Sequence, residues 1–174
     1  MISYILALLC GAGLLAADQL TKYYITSNFT LGESAEFLNG FIDITYIHNS
    51  GGAWGMLSGN TWMLLSITVL VMLICVALLL SKGVKDKLLF WSLTLVLFGG
   101  IGNMIDRIFR GGEVIDFLHF EFYPQFPVFN VADIGIVIGA GLLMLYFIID
   151  TVKESRNKKK IGIETAEQNA ENKT

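Results

Sequence analysis

Charge is what this chain has least of. Asp, Glu, Lys and Arg make up 16% of its 174 residues, against about 25% in a soluble domain, which argues against a water-soluble globule. Cysteine is nearly absent too. Cys10 and Cys75 both fall in apolar runs with no CxxC partner, so they read as small buried hydrophobes, not as a disulfide or metal site. His48 and His119 are the only histidines and no H-x-x-x-H spacing exists, which removes the usual metal centres. No Lys or Arg precedes the first apolar run, and Leu9 stands where a lipobox needs a small residue before Cys10. That run therefore reads as a retained helix and not as a cleaved signal peptide. Gly99-Gly100-Ile101-Gly102-Asn103 lacks the Lys-Ser/Thr of a phosphate loop and the third glycine of a dinucleotide fingerprint. Ser50 and Ser58 have no Lys or His motif that would make a nucleophile, and no internal repeat is present.

What is abundant is apolar sequence, at 54%. It is gathered in four runs, roughly 2–17, 61–80, 88–105 and 128–149, each near the ~20 residues that cross a bilayer core. The expected fold is an all-α integral membrane protein with four transmembrane helices. Nine of the twelve basic residues lie either between the second and third runs (Lys82, Lys85, Lys87) or after the fourth (Lys153, Arg156, Lys158, Lys159, Lys160, Lys173). The positive-inside rule puts that side, and both termini, in the cytoplasm. Residues 1–150 then form the membrane unit, with an extracytoplasmic β-rich insertion at about 22–60. Within it, 34–38 and 41–47 read as strands joined by Asn39-Gly40, a strong hairpin signal. Ala53-Trp54-Gly55-Met56-Leu57 reads as a short interfacial helix with Trp54 at headgroup level. Residues 151–174 are charged and read as a solvated, disordered cytoplasmic tail whose basic cluster stops helix 4 or touches anionic lipid.

This topology brings polar groups from separate segments to one depth. Helix 1 is expected to end at Asp18. Helix 3 is expected to end at Asn103, Asp106 and Arg107, and helix 4 to begin near Asn130 and Asp133, with Asp116 on the short loop between the last two runs. Ionisable groups at the edge of a bilayer mark a functional site by default. Asp18 and Lys22, spaced i, i+4, can pair on helix 1; structural and functional roles both stay open for them and for Asp106 and Arg107. Asp116 and Asp133 sit among apolar neighbours. If they meet, they cannot both ionise easily and share a proton, so that the neutral acid polarises a carbonyl while the carboxylate activates water. A small proton- or cation-coupled transporter using the same carboxylates is the rival reading, although helix 2 is almost uniformly apolar. A non-enzymatic assembly or binding protein is another.

Five motifs in order across residues 18–133 resemble the lipoprotein signal peptidases (signal peptidase II), membrane aspartic proteases. They are Asp18-Gln19-Leu20-Thr21-Lys22, Asn49-Ser50-Gly51-Gly52-Ala53-Trp54, Gly99 through Arg107, Gly112-Glu113-Val114-Ile115-Asp116-Phe117 and Phe129-Asn130-Val131-Ala132-Asp133. The resemblance implies Asp116 and Asp133 as catalytic residues, and Asn49, Asn103, Arg107 and Asn130 as substrate-holding or dyad-orienting residues. Asp18, Lys22 and Asp106 are left as structural polar residues, and Gly51, Gly52 and Trp54 form a flap. Gly52 and Trp54 depart from the family's usual N-x-G-A-A-F. The implied reaction removes the signal peptide of a prolipoprotein just before its diacylglyceryl-modified cysteine, near the outer leaflet of a bacterial cytoplasmic membrane. No cofactor, metal or nucleic acid is implied. Partners would be prolipoproteins, membrane lipid and globomycin-type inhibitors, and a monomer is expected.

Overall fold

The structure, a computed structural model, describes residues 2–57, 59–81 and 84–171. Ser58, Lys82 and Lys173, all weighed above, lie outside the described residues. In chain order come α1 (Ile2–Asn28), β1 (Ser34–Leu38), β2 (Ile42–Asn49), a 3-10 turn (Ala53–Gly55), α2 (Thr61–Leu80), α3 (Lys87–Phe109), β3 (Val114–Phe120) and α4 (Val131–Glu171). All four helices are long and apolar enough to span a membrane. Their exposed surfaces are crowded with Leu, Ile, Val and Phe, as a lipid-facing surface requires.

Helix α3 is the centre of the bundle. It starts at Asp86, whose side chain accepts from the Leu88 and Leu89 amides, the N-cap arrangement that satisfies otherwise orphaned donors. It then packs against α1, α2 and α4. Close approach to α4 depends on small residues, the usual device where helices meet without a hydrophobic drive. A Cβ on Gly99 would lie 2.6 Å from the Ala132 carbonyl oxygen, and one on Gly102 would lie 2.6 Å from Asp18 Oδ2. Helix α2 buries only Cys75; this cysteine packs with Leu93 and Leu97 of α3.

Three features differ from the sequence reading. First, α1 does not end at Asp18 but runs on to Asn28, so Asp18 and Lys22 lie inside the helix and the β-rich insertion begins beyond it. Both are fully buried and paired with each other. The Thr21 and Thr26 hydroxyls bond back to helix carbonyls, and Asn28 Nδ2 donates to the Tyr24 carbonyl near the end. The polar stretch therefore continues the helix because its side chains find partners.

Second, Asp116 is in a strand and not in a loop. After α3 the chain turns through Gly111 (φ 66) and Gly112 (φ 96), a backbone suited to glycine. It then enters β3, which pairs antiparallel with β2. The sheet order is β1-β2-β3, so the hairpin at 34–49 is braced by a third strand, without which two strands are marginal. Side chains alternate across the sheet. Tyr46, Ile115 and Phe117 pack on Ile25 of α1, whereas Asn49, Val114 and Asp116 face a cavity.

Third, α4 does not give way to a disordered tail near residue 151. It continues as helix through Glu171 for 41 residues, about 60 Å at the helical rise. Its post-membrane part is rich in Lys, Glu, Ala and Gln, good helix formers, and carries a Glu154–Lys158 i,i+4 pair at 2.7 Å.

Candidate active site

The site is built where β2, β3 and the N-terminus of α4 meet α3. Asp116 projects from β3 with 1% exposure. Its Oδ2 accepts from Asn49 Nδ2 at 2.8 Å and its Oδ1 from Asn130 Nδ2 at 2.6 Å. Burial pushes the Asp116 carboxyl up to about 7, and the charge of Asp133 adds to the rise. The amides of Asn49 and Asn130, with Lys22 farther off, pull the other way. The two aspartates are therefore near enough for the charge of Asp133 to raise the cost of ionising Asp116.

Asp133 is placed by the start of its own helix. The Asn130 side-chain oxygen accepts from the Asp133 amide at 3.0 Å, and Asp133 Oδ2 accepts from the Asn130 amide at 3.1 Å. This reciprocal pair is a capping box, satisfying two orphan donors at once. A third donor, the Ala132 amide, is taken by Asp18 Oδ1 from α1 at 2.9 Å. The other Asp133 oxygen, Oδ1, accepts from Asn103 Nδ2 at 2.7 Å. The residue that seats the helix thus presents a carboxylate to the cavity.

Behind this layer Lys22 acts as a hub. With 0% exposure, its ammonium lies 3.0 Å from Asp18 Oδ2, 2.9 Å from Asp106 Oδ2 and 3.1 Å from Asn103 Oδ1. Asp106 in turn accepts from the Ile115 amide at 3.2 Å, tying α3 to β3. Asn103, its oxygen held by Lys22 and by Asn130 Nδ2 at 3.0 Å, has its amide aimed at Asp133. A buried charge group survives only when so paired, because removing one partner strands the others in low dielectric.

The cavity has a volume of about 480 Å³ and is mostly apolar, walled by Phe120, Phe126, Phe129 and the α4 residues Ile134 and Val137, with Asn103, Arg107, Asp116 and Asp133 at its polar end. Arg107 Nη2 donates to the Gly51 carbonyl at 3.1 Å, while its Nε is buried without a hydrogen-bond partner among the described residues. Gly51, Gly52 and Trp54 border the opening, and Trp54 meets Phe126 edge-on at 5.8 Å. Asn49 Oδ1 accepts from the Gly51 amide at 2.9 Å, so the turn after β2 is tied to the same asparagine that holds Asp116.

Every candidate residue named from the sequence is drawn into this network or onto the cavity wall. Two features were not foreseen. The aromatic wall of Phe120, Phe126 and Phe129 had a visible signal in the Phe-rich stretch 117–129. Gln19, which donates to Asp18 Oδ2 at 3.0 Å and to the Gly102 carbonyl at 3.2 Å, had none beyond its neighbour.

A family profile described as Signal peptidase (SPase) II matches residues 10–149. A lipoprotein signal peptidase of Bacillus pumilus is 44% identical over 154 residues, covering 88% of this chain and 96% of that protein. One of Enterococcus faecalis is 40% identical, covering 86% and 92%. A solved structure described as a bacterial membrane enzyme, determined in meso at 2.3 Å, superposes with a TM-score of 0.78 at 32% identity, covering 83% of this chain and 88% of that one. Nothing in these matches supports the transport reading.

Proposed function

The chain belongs to the signal peptidase II family, and from that premise we propose that Asp116 and Asp133 are the carboxylates that carry its reaction. The protein is a lipoprotein signal peptidase, a multi-pass aspartic protease of the bacterial cytoplasmic membrane acting on prolipoproteins. The finer reading is cleavage just before a diacylglyceryl-modified cysteine, with both termini cytoplasmic and the cavity near the outer leaflet. The apolar walls suit a lipid-bearing peptide, and globomycin-type inhibitors would occupy the same space.

The observation that carries the proposal is the convergence of two buried aspartates on one cavity, each held by two amide donors. Asp116, pushed up to about 7, is protonated in a substantial fraction of molecules near neutrality, and in that form donates its proton to the scissile carbonyl oxygen. Asp133 takes a proton from water as its oxygen forms a bond to the carbonyl carbon. Collapse of the tetrahedral diol returns a hydroxyl proton to Asp116, while Asp133 gives its proton to the departing nitrogen. The C–N bond breaks, leaving a carboxylic acid on the signal peptide and a free amine on the lipidated cysteine. Both aspartates end as they began. Asn49, Asn103 and Asn130 hold the pair in register, and Arg107 Nε is the donor free to receive a substrate carbonyl.

Purified wild type, Asp116→Asn and Asp133→Asn are compared on a diacylglyceryl prolipoprotein by gel shift, with elution and melting to verify the fold. Both folded variants are expected to lose cleavage by at least about a thousandfold, as loss of a member of an acid–base pair does. Near wild-type cleavage by either refutes the dyad, and a wild type that never cleaves would favour a protein that only binds lipidated precursors.

A further inference from the structure

We infer that His48, Glu113 and Tyr46 form a clasp behind the sheet that positions Asn49 on Asp116, making His48 and Glu113 positioning residues of the peptidase. The inference rests on Asp116 being one of the two reacting carboxylates.

Asn49 is the last residue of β2, on the final rung of the ladder opposite Val114. Beyond it the chain leaves the sheet through a strained turn. Trp54 (φ 56) and Leu57 (φ 61) both adopt left-handed backbone, which side chains larger than glycine resist. The strand end adjoins this segment, and any fraying there would draw Asn49 Nδ2 from Asp116 and Asn49 Oδ1 from the Gly51 amide.

The pin lies on the opposite face, where successive side chains of a strand alternate. His48 Nδ1 meets Glu113 Oε2 at 2.8 Å, joining the end of β2 to the residue just before β3. His48 Nε2 meets the Tyr46 hydroxyl at 2.8 Å, with the two rings edge-on at 5.4 Å. Tyr46 is itself buried among Ile25, Ile115 and Phe117. The imidazole is therefore held at both nitrogens, one partner fixed in the core and the other at the α3–β3 turn.

This arrangement tolerates either charge state of the histidine. When neutral, Nδ1–H donates to Glu113 and the phenol donates to Nε2. When protonated, both ring N–H groups donate and the phenol accepts. The titration of Asp116 is set among Asp133 from α4, Arg107 from α3 and Lys22 from α1. Asn49 acts on that titration directly, because its amide favours the carboxylate form of Asp116.

The test measures kcat, KM and the pH profile of kcat/KM for His48→Ala, Glu113→Ala and Glu113→Gln beside wild type and Asp116→Asn. The two alanine variants are expected to lower kcat about tenfold, in the range that misplacement near a reacting group produces, with KM within about twofold. Their alkaline limb should move up by about half a pH unit or more as Asn49 lets go of Asp116. Glu113→Gln still accepts from Nδ1–H and should recover most of the rate lost in Glu113→Ala. Wild-type kcat in both alanine variants refutes the clasp. So does a kcat loss that tracks a lower melting temperature with no movement of the limb, which describes a merely structural bridge. Should His48→Ala fail to fold, the Glu113 pair carries the same test. Cleavage by Asp116→Asn, in contrast, would overturn the dyad and not the clasp alone.

Discussion

Asp116 makes stability and pH inseparable in this protein. Its carboxyl rises from an ordinary 3.8 to about 7 in the folded state, chiefly through burial and then through the charge of Asp133. Because the folded value is the higher one, the associated stability is fully present below the unfolded value and is lost as pH rises through the folded one. At 1.36 kcal/mol for each pH unit between the two values, the total is about 4 kcal/mol, of which more than half falls between pH 5 and pH 8. Asp116→Asn has no proton to lose there, so its stability should vary with pH less steeply than wild type by that amount. Unfolding in mixed micelles, followed by tryptophan fluorescence at pH 5, 6, 7 and 8, measures both slopes. Parallel curves would mean that Asp116 ionises no less readily folded than unfolded, and would remove the physical basis for assigning it the proton in the reaction.

Two further outcomes follow from packing and charge. Gly102→Ala should destabilise by about 1–3 kcal/mol, since its new methyl would press on Asp18 Oδ2 and on Ala132 Cβ at 3.1 Å. Gly141→Ala, with open space around it, should be neutral or slightly stabilising, and paired melting curves separate the two. Lys22→Met strands Asp18 and Asp106 without their shared cation and should cost about 3–5 kcal/mol. Adding Asp18→Asn and Asp106→Asn should recover part of that loss in yield and melting temperature; no recovery would argue that the triad's contribution is not electrostatic.

The four spans were legible because a bilayer imposes length and apolarity on any helix that crosses it, and 61–80 matches α2 end to end. The residues of the polar cluster could be named one by one through motifs, yet its geometry could not. Residues 114–120 carry β-branched and aromatic residues, yet a run this short is ambiguous until its pairing with β2 and its flank on α1 are known. Helix α1 was read short because Asp18 and Lys22 look like a boundary until their partners on α3 and α4 are known. The helical stretch after residue 150 was missed for a different reason. Its composition suits solvent, and only the continuous hydrogen-bonded ladder from α4, already nucleated, carries the helix onward.

The capping box has a consequence for how such an enzyme comes into being. Asp133 is in register only when Asn130 has started α4, when Asn103 of α3 reaches it, and when Asp18 of α1 has taken the Ala132 amide. A chain still being threaded into the bilayer, with three helices in place and the fourth emerging, has one aspartate and no pair. If Asp116 and Asp133 are the reacting pair, proteolytic competence therefore waits for the fourth helix to be seated.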